Sequence, residues 1–221
     1  MNNDPYFHQL YPFQDRILLI LNKIETPFYL TGGTALARGY LQLRYSDDLD
    51  FFADDDSSFK LHVDRAINQL LSVHSYDLDV VSRAERYTRL SVIKEGGIIL
   101  KLEFINDVPS HIGEIVKHPE LGKLDSAENI LANKVTAVLS REEPKDLADI
   151  WGICTRIELP LEQAITDAKS KASGIFPADL ARVLLSTSQS DWEVINWIEP
   201  PTAESFVNDL HRLGKDLLLI K

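Results

Sequence analysis

Residues 29–52 read YLTGGTALARGYLQLRYSDDLDFF, and this stretch carries the pattern that decides the fold. A short apolar run leads into Gly32-Gly33, and the alanines and leucines that follow favour a helix. After a polar bend, Asp47–Phe52 alternates acidic and apolar side chains, which is typical of a strand. The sequence therefore predicts a strand, a glycine turn, a helix and a second strand in this order.

The same stretch carries candidate residues for phosphoryl chemistry. Glycines between a strand and a helix let a ligand approach the backbone, and free N–H groups at a helix N-terminus attract phosphate. Asp48 and Asp50 lie two positions apart on one strand, so both side chains point to the same face. Glu103 stands on a later strand with the same alternation. Mg²⁺ prefers oxygen ligands and can stabilise an in-line displacement at phosphorus, so these three carboxylates predict Mg²⁺-dependent chemistry.

The flanking sequence predicts an α+β protein, with a mixed β-sheet and flanking helices followed by a helical C-terminal half. Apolar periodicity favours helices over residues 12–24 and 57–73, and Gly96-Gly97 indicates a hairpin. Residues 106–124, rich in Pro, Gly and His, predict a connector. The predicted domains are a nucleotide-binding α/β core over residues 1–107 and a helical region over residues 108–221. The predicted strands are Tyr76–Val81, Tyr87–Ile93 and Ile98–Ile105, and the later helices are Asp125–Ser140, Pro144–Thr155, Leu161–Ala172, Pro177–Leu185 and Thr202–Leu219.

Composition narrows the classes of function. The chain has 221 residues with 34 acids against 23 bases, a net charge of −11, which disfavours broad nucleic-acid binding. The single cysteine, Cys154, excludes an internal disulfide and fits a reducing compartment. The N-terminal residues lack a secretory pattern and no apolar run is long enough to span a bilayer. These features predict a cytoplasmic protein with no membrane partner.

Two blocks of sequence resemble a known family. Residues 32–36, GGTAL, and residues 44–52, RYSDDLDFF, resemble the nucleotidyltransferase family of the AbiEii/AbiGii toxins, which has the DNA polymerase β-like nucleotidyltransferase fold. The resemblance continues over residues 128–150, ENILANKVTAVLSREEPKDLADI, where the family has a helix with Lys and Arg followed by Lys-Asp-x-x-Asp. It covers roughly residues 30–150, and the later residues add little.

The resemblance implies three groups of site residues: a glycine motif that holds a nucleoside triphosphate (NTP), a catalytic carboxylate set that binds Mg²⁺, and residues of the helical half near the nucleotide. In this sequence they are Gly32, Gly33 and Thr34; Asp48, Asp50 and Glu103; and Lys134 and Asp146. Thr34 stands where the superfamily typically has Ser, and Glu103 where it usually has Asp.

The residues of the second block are compatible with such a site. Lys134 and Arg141 lie two helical turns apart and share a face. Pro144 begins the next helix, on which Asp146 and Asp149 share a face. We expect Lys134 to reach the triphosphate and Asp146 to act in catalysis near it. Acidic residues also stabilise the first turn of a helix, and Asp149 is assigned to that role alone.

The leading hypothesis is a Mg²⁺-dependent nucleotidyltransferase that transfers a nucleoside monophosphate from an NTP to an acceptor hydroxyl and releases pyrophosphate. The resemblance implies a toxin that has a cognate antitoxin and modifies RNA at a tRNA 3′ end, and a protein hydroxyl or a small molecule stays open as the acceptor. A basic cluster then serves as a guide for RNA phosphates, or else only balances charge on edge strands: Arg83, Arg86, Arg89, Lys94 and Lys101. The alternatives are a metal-dependent nuclease, since Lys101-Leu-Glu103 resembles a nuclease pair in reverse order, and a non-catalytic nucleotide-binding or partner-binding module.

Overall fold

A computed structural model describes residues 6–94, 96–141 and 143–219. The first five residues, part of the segment predicted to lack a secretory signal, lie outside this range. The chain divides into two compact units. The first runs to Ala35 and includes Ser46–His111 and Ile115–Asp125, and the second comprises Leu36–Tyr45, Ile112–Glu114 and the chain from Ser126 onward. No described helix is both long and apolar enough to cross a membrane.

The first unit is built on a mixed sheet with helices packed against it. Its elements are a π-helical turn Tyr6–Leu10, α1 Tyr11–Leu21, β1 Tyr29–Thr31, α2 Gly32–Leu36 (which ends in the second unit), β2 Leu49–Asp54, α3 Phe59–Leu71, β3 Tyr76–Arg83, β4 Tyr87–Lys94, β5 Ile98–Asp107, β6 Val116–His118 and β7 Gly122–Leu124. The seven strands follow the order β3-β4-β5-β2-β1-β7-β6. The predicted α+β class and the predicted glycine hairpin between β4 and β5 are confirmed.

Strand β2 lies at the centre of the sheet, antiparallel to β1 and parallel to β5. Its apolar residues Leu49, Phe51 and Ala53 are buried, and the alternate residues are partly exposed, as the sequence predicts. The ring of Phe51 stacks on that of Phe104 of β5 at 5.3 Å between centroids. Truncating such a core aromatic residue lowers the free energy of unfolding by about 3–5 kcal/mol. Because Phe51 is held on the buried face, the residues that alternate with it, including Asp50, lie on the opposite face of β2.

The segment predicted as a connector contains two short strands instead. β7 pairs parallel to β1, and β6 pairs antiparallel to β7, so this segment extends the sheet by two strands. Each strand is three residues long. Three residues are too few to show a period-2 alternation, which is why the pattern gave no indication of them.

The second unit is helical. After a π-helical turn Ala37–Leu41, its elements are α4 Ala127–Arg141, α5 Pro144–Gly152, a π-helical turn Ile153–Ile157, α6 Leu161–Lys171, α7 Pro177–Ser186, α8 Gln189–Glu193 and α9 Ala203–Leu218. The sequence did not indicate α8, which is five residues long and begins with a capping box at Ser188 and Asp191. Gly152 lies against Leu43, so a Cβ atom at position 152 would collide with the Leu43 side chain.

Candidate active site

The acidic residues of the first block lie at the beginning of the central strand. Asp48 directly precedes β2, and Asp50 is the second residue of that strand. By strand register, Asp50 lies opposite Thr31 of β1 on one side and opposite Glu103 of β5 on the other. The predicted proximity of Asp50 and Glu103 on neighbouring strands is therefore observed.

The glycine turn packs directly against this strand. Gly32 has a φ of +68°, which L side chains rarely adopt, and a Cβ atom at this position would lie 2.5 Å from Asp50 Oδ2. The Thr34 hydroxyl donates a hydrogen bond of 2.5 Å to the carbonyl oxygen of Asp48. Glycine at position 32 thus lets the turn and the Asp50 carboxylate occupy neighbouring space, and Thr34 fixes the turn to the start of β2.

On the other side of β2, Lys101 of β5 contacts the carboxylates. Its Nζ atom lies 2.5 Å from Asp48 Oδ2 and 3.6 Å from Glu103 Oε1. Burial alone lowers the pKa of Lys101, but the neighbouring charges of Asp48, Glu103 and Asp50 raise it above its usual value. The sequence placed Lys101 only in a basic cluster and in a nuclease-like pair. Its position two residues before Glu103 on β5 was the signal that it faces the same site.

The Glu103 carboxylate has partners of its own. Its Oε1 atom accepts hydrogen bonds of 2.9 Å from the Tyr87 hydroxyl and from Arg89 Nε. Burial alone raises the pKa of Glu103, but these donors and Lys101 lower it below its usual value. Among the residues that the structure describes, no three His, Cys, Asp or Glu side chains converge closely enough to hold one metal ion. The role of Glu103 as a third metal ligand stays a prediction.

The side chains at the start of β2 fit a divalent cation in their chemistry. Asp48 and Asp50 supply carboxylate oxygens, the ligand type that Mg²⁺ prefers. The Lys101 ammonium already places a positive charge within 2.5 Å of Asp48, so this position accommodates a cation. Asp48 and Asp50 are therefore the residues that would hold Mg²⁺.

The predicted residues of the second unit form a buried ionic network. Lys134 is 6% exposed, and its Nζ atom lies 2.7 Å from Asp146 Oδ1 and 2.7 Å from Asp149 Oδ2. Arg44 forms a bidentate pair with Asp149, with both distances 2.7 Å. Arg141 donates to both carboxylate oxygens of Asp146 at 2.7 and 2.9 Å. The predicted shared face of Lys134 and Arg141 is confirmed, because both contact Asp146.

The network extends beyond the predicted role of Asp149. Asp149 is the sixth residue of α5, beyond its first turn, so the predicted role in that turn is wrong. It is 3% exposed and contacts two cations, Arg44 and Lys134. Burial alone raises the pKa of Asp149, but the charges of Arg44 and Lys134 lower it. The sequence did not indicate a role for Arg44. Its place in the family-like RYSDDLDFF block was the available signal, but a local pattern could not identify a partner 105 residues away.

The basic cluster is divided between two ends of the sheet. Arg83 pairs with Asp64 and Arg86 pairs with Asp55, each at 2.7 Å. Arg86 also donates to the carbonyl oxygen of Asn106, five positions along β5 from Lys101, or roughly 16 Å. Arg83 and Arg86 are therefore neutralised by acidic residues, and Arg86 lies away from Asp48. These ion pairs favour charge balance on edge strands for Arg83 and Arg86, and the role of the cluster as a guide for RNA phosphates stays a prediction.

Comparisons with solved structures agree with the fold. The fold is similar to that of JHP933 from Helicobacter pylori, which is 20% identical with a TM-score of 0.63, over 93% of this chain and 89% of that chain. MenT4, a nucleotidyltransferase toxin from Mycobacterium tuberculosis, is 20% identical with a TM-score of 0.54, over 96% and 84% of the two chains. A comparison with curated proteins finds no match.

The family is shown by the sequence itself. The sequence model of a family described as "Nucleotidyl transferase AbiEii toxin, Type IV TA system" matches residues 16–195. The chain belongs to this AbiEii family and is a nucleotidyltransferase of the toxin–antitoxin class. The resemblance found in the two sequence blocks is thereby confirmed.

Proposed function

We propose that this nucleotidyltransferase uses Mg²⁺ to transfer a nucleoside monophosphate from an NTP to the 3′ hydroxyl of an RNA, with a tRNA 3′ end as the acceptor. The observation that carries this proposal is the contact between Gly32 and Asp50. It places a side-chain-free turn, where a triphosphate can approach, directly beside a carboxylate pair of the type that binds Mg²⁺.

Each part of the first unit has a role in this proposal. Gly32, Gly33 and Thr34 hold the triphosphate, and Asp48 and Asp50 hold the metal. Bound Mg²⁺ supplies positive charge that stabilises the negative charge developing on the phosphate oxygens. Glu103 completes the carboxylate set, and its bonds to Tyr87 and Arg89 fix its position.

In the reaction, the oxygen of the acceptor hydroxyl forms a bond to the α-phosphorus while the bond between that phosphorus and the bridging oxygen of the β-phosphate breaks. Pyrophosphate leaves with the electron pair of that bond, and the proton of the acceptor hydroxyl passes to solvent water. The chain's own contribution is to orient the triphosphate against Gly32–Thr34 and to keep the acceptor hydroxyl in line with the bond that breaks.

In the second unit, we assign Lys134 to the triphosphate and Asp146 to the catalytic set, as the family resemblance implies. A lysine ammonium is a compact charge suited to phosphate. Arg44, Asp149 and Arg141 then act as positioning residues, because their ion pairs hold the Lys134 ammonium and the Asp146 carboxylate in place. A cognate antitoxin is the proposed protein partner, because the family belongs to a type IV toxin–antitoxin system.

The experiment that tests this proposal follows label from each α-³²P-labelled NTP into total RNA with Mg²⁺. Wild-type protein should transfer label and release pyrophosphate, and Asp48→Asn should reduce both at least about a hundredfold without loss of the fold. Asp79→Asn, the same change at an exposed residue of β3, is the matched control and should retain activity. Unchanged turnover in a folded Asp48→Asn/Asp50→Asn double variant would contradict the proposal.

The same assay separates the two alternatives. A nuclease shortens RNA without consuming NTP. A non-catalytic module raises its melting temperature with NTP and Mg²⁺ but releases no pyrophosphate. Label that enters only protein or a small molecule rejects RNA as the acceptor while it retains nucleotidyl transfer.

A further inference from the structure

A cavity of about 410 Å³ lies beside Asp48 in the first unit. Its walls are apolar and aromatic, formed by Tyr6 and Leu10 of the first π-helical turn and by Ile98 and Ile99 of β5. Asp48 and Lys101 line it as well, so the cavity opens onto the carboxylates. We call it the Ile99 pocket, after a lining residue that is 59% exposed on the protein surface.

The pocket and the glycine turn lie on opposite sides of the carboxylate strand. Strand β2 has β1 on one side and β5 on the other. Gly32 directly follows β1 and contacts Asp50, whereas Ile99 and Lys101 belong to β5. In an in-line displacement, the attacking and leaving oxygens lie on opposite sides of the phosphorus. If the triphosphate lies at the glycine turn, the acceptor has to approach from the side of β5, where the pocket lies.

The side chains of the pocket suit a nucleobase better than a phosphate. Flat apolar walls and an aromatic ring such as that of Tyr6 stack on bases of any type. Gln9 and Asp47 also line the cavity, and their amide and carboxylate groups can bind the polar edge of a base. Two acidic residues and one lysine line the pocket, and that lysine is already paired with Asp48. The excess of negative charge disfavours binding of a phosphate in the pocket and permits binding of an uncharged base.

We propose that the Ile99 pocket binds the terminal nucleobase of the acceptor RNA and thereby positions its 3′ hydroxyl. This inference rests on the proposed function and adds to it the binding site of the acceptor's terminal base. It also accounts for RNA recognition by a chain of charge −11, because a single base held in an apolar pocket requires few phosphate contacts.

The test uses an RNA hexamer whose 3′-terminal base is 2-aminopurine, a base whose fluorescence is quenched when it stacks. The hexamer is titrated with full-length protein in Mg²⁺ and a non-hydrolysable NTP analogue. We expect quenching for the terminal 2-aminopurine and none when 2-aminopurine is the 5′-terminal base. Ile99→Glu should weaken binding of the hexamer by about tenfold or more, because stacking and apolar contact are lost.

Two further variants keep the test independent of folding. Ile99→Ala removes the apolar wall without adding a charge and should weaken RNA binding by several-fold. Val81→Glu makes the same change of charge on β3 at a residue that is 51% exposed, and should leave RNA binding unchanged. NTP binding, measured by calorimetry, should be the same in all three variants and in wild type.

The outcomes distinguish this inference from the proposed function. Equal hexamer binding by folded Ile99→Glu overturns the pocket, and so does a loss of NTP binding, which would assign the pocket to the base of the NTP. Label transfer to protein or a small molecule only, without quenching of the hexamer, also overturns it and leaves nucleotidyl transfer intact. Absence of any NTP turnover by wild type refutes the proposed function instead.

Discussion

At the scale of single residues, the position of the Asp50 carboxylate requires a residue without a side chain at position 32. Gly32→Ala puts a Cβ atom 2.5 Å from Asp50 Oδ2, so the carboxylate has to move. The positive φ of +68° adds roughly 1–2 kcal/mol of strain. We expect Gly32→Ala to reduce kcat/KM for NTP by more than its loss of stability explains, as measured by pyrophosphate release and thermal denaturation.

Gly97→Ala is the matched control for that variant. Gly97 also has a positive φ, +84°, but a Cβ atom there meets nothing within 4 Å. The Gly97→Ala variant therefore has the backbone strain but displaces no carboxylate. We expect its melting temperature to fall and its kcat/KM for NTP to stay that of wild type. Similar losses of activity in the two variants would show that the contact with Asp50 is not what makes Gly32 necessary.

Lys101 gives a second prediction at this scale. Because its ammonium lies 2.5 Å from Asp48 Oδ2, it competes with a divalent cation for that carboxylate. Lys101→Met should increase the affinity for Mn²⁺ or Mg²⁺ several-fold in calorimetric titrations without NTP. Lys94→Met, on the neighbouring strand β4, removes the same charge and should change the affinity much less. A metal affinity that is unchanged or weaker in Lys101→Met rejects this competition.

At the scale of elements, α4 and α5 are joined by the ionic network of Lys134, Asp146 and their partners. Burial alone raises the pKa of Asp146, but Lys134 and Arg141 lower it to about 2. The usual pKa of an Asp in an unfolded chain is about 3.9. A carboxylate with a lowered pKa in the folded state stabilises the fold above its unfolded pKa, and this stability is lost as the pH falls through the folded pKa.

We therefore expect the ionised Asp146 carboxylate to add roughly 2 kcal/mol to the free energy of unfolding above about pH 4. This contribution should be lost between about pH 4 and pH 2. The measurement is the free energy of unfolding in urea from pH 6 to pH 2. The difference in stability between wild type and Asp146→Asn should shrink over that interval. Thr166→Ser, at an exposed position of α6, changes no ionisable group, and its difference in stability from wild type should be constant with pH. A difference for Asp146→Asn that is constant with pH contradicts the assignment.

At the scale of the whole molecule, a net charge of −11 restricts how RNA can bind. If the acceptor is RNA, as proposed, we expect few phosphates to be neutralised and the slope of log K against log[salt] to be about −1 to −2. Arg83 and Arg86 are already paired with Asp64 and Asp55. Arg83→Glu/Arg86→Glu should therefore leave label transfer to RNA within about twofold of wild type, because exposed ion pairs contribute little. A steep salt dependence, or loss of transfer in that variant, would instead support the basic cluster as a guide for RNA phosphates.

The sequence by itself determined the local structure around the site. Alternation along residues 48–51 indicated the face to which Asp48 and Asp50 point, and the two glycines marked the start of α2. Helical periodicity located most of the C-terminal helices, and the two sequence blocks identified the family. These features could be predicted because they depend on backbone conformation and on which side chains are apolar, and both repeat with a short period along the chain.

Only the tertiary structure decided which charged groups meet. Lys101 and Asp48 are 53 positions apart, and Arg44 and Asp149 are 105 apart, so no local pattern relates them. The pairing of Lys101 with Asp48 depends on the register of β5 against β2, and the pairing of Arg44 with Asp149 depends on how the segment before β2 packs on α5. The strands β6 and β7 likewise form only because β1 offers β7 an edge. Such contacts follow from the simultaneous packing of distant segments, which the residues of any one segment do not encode.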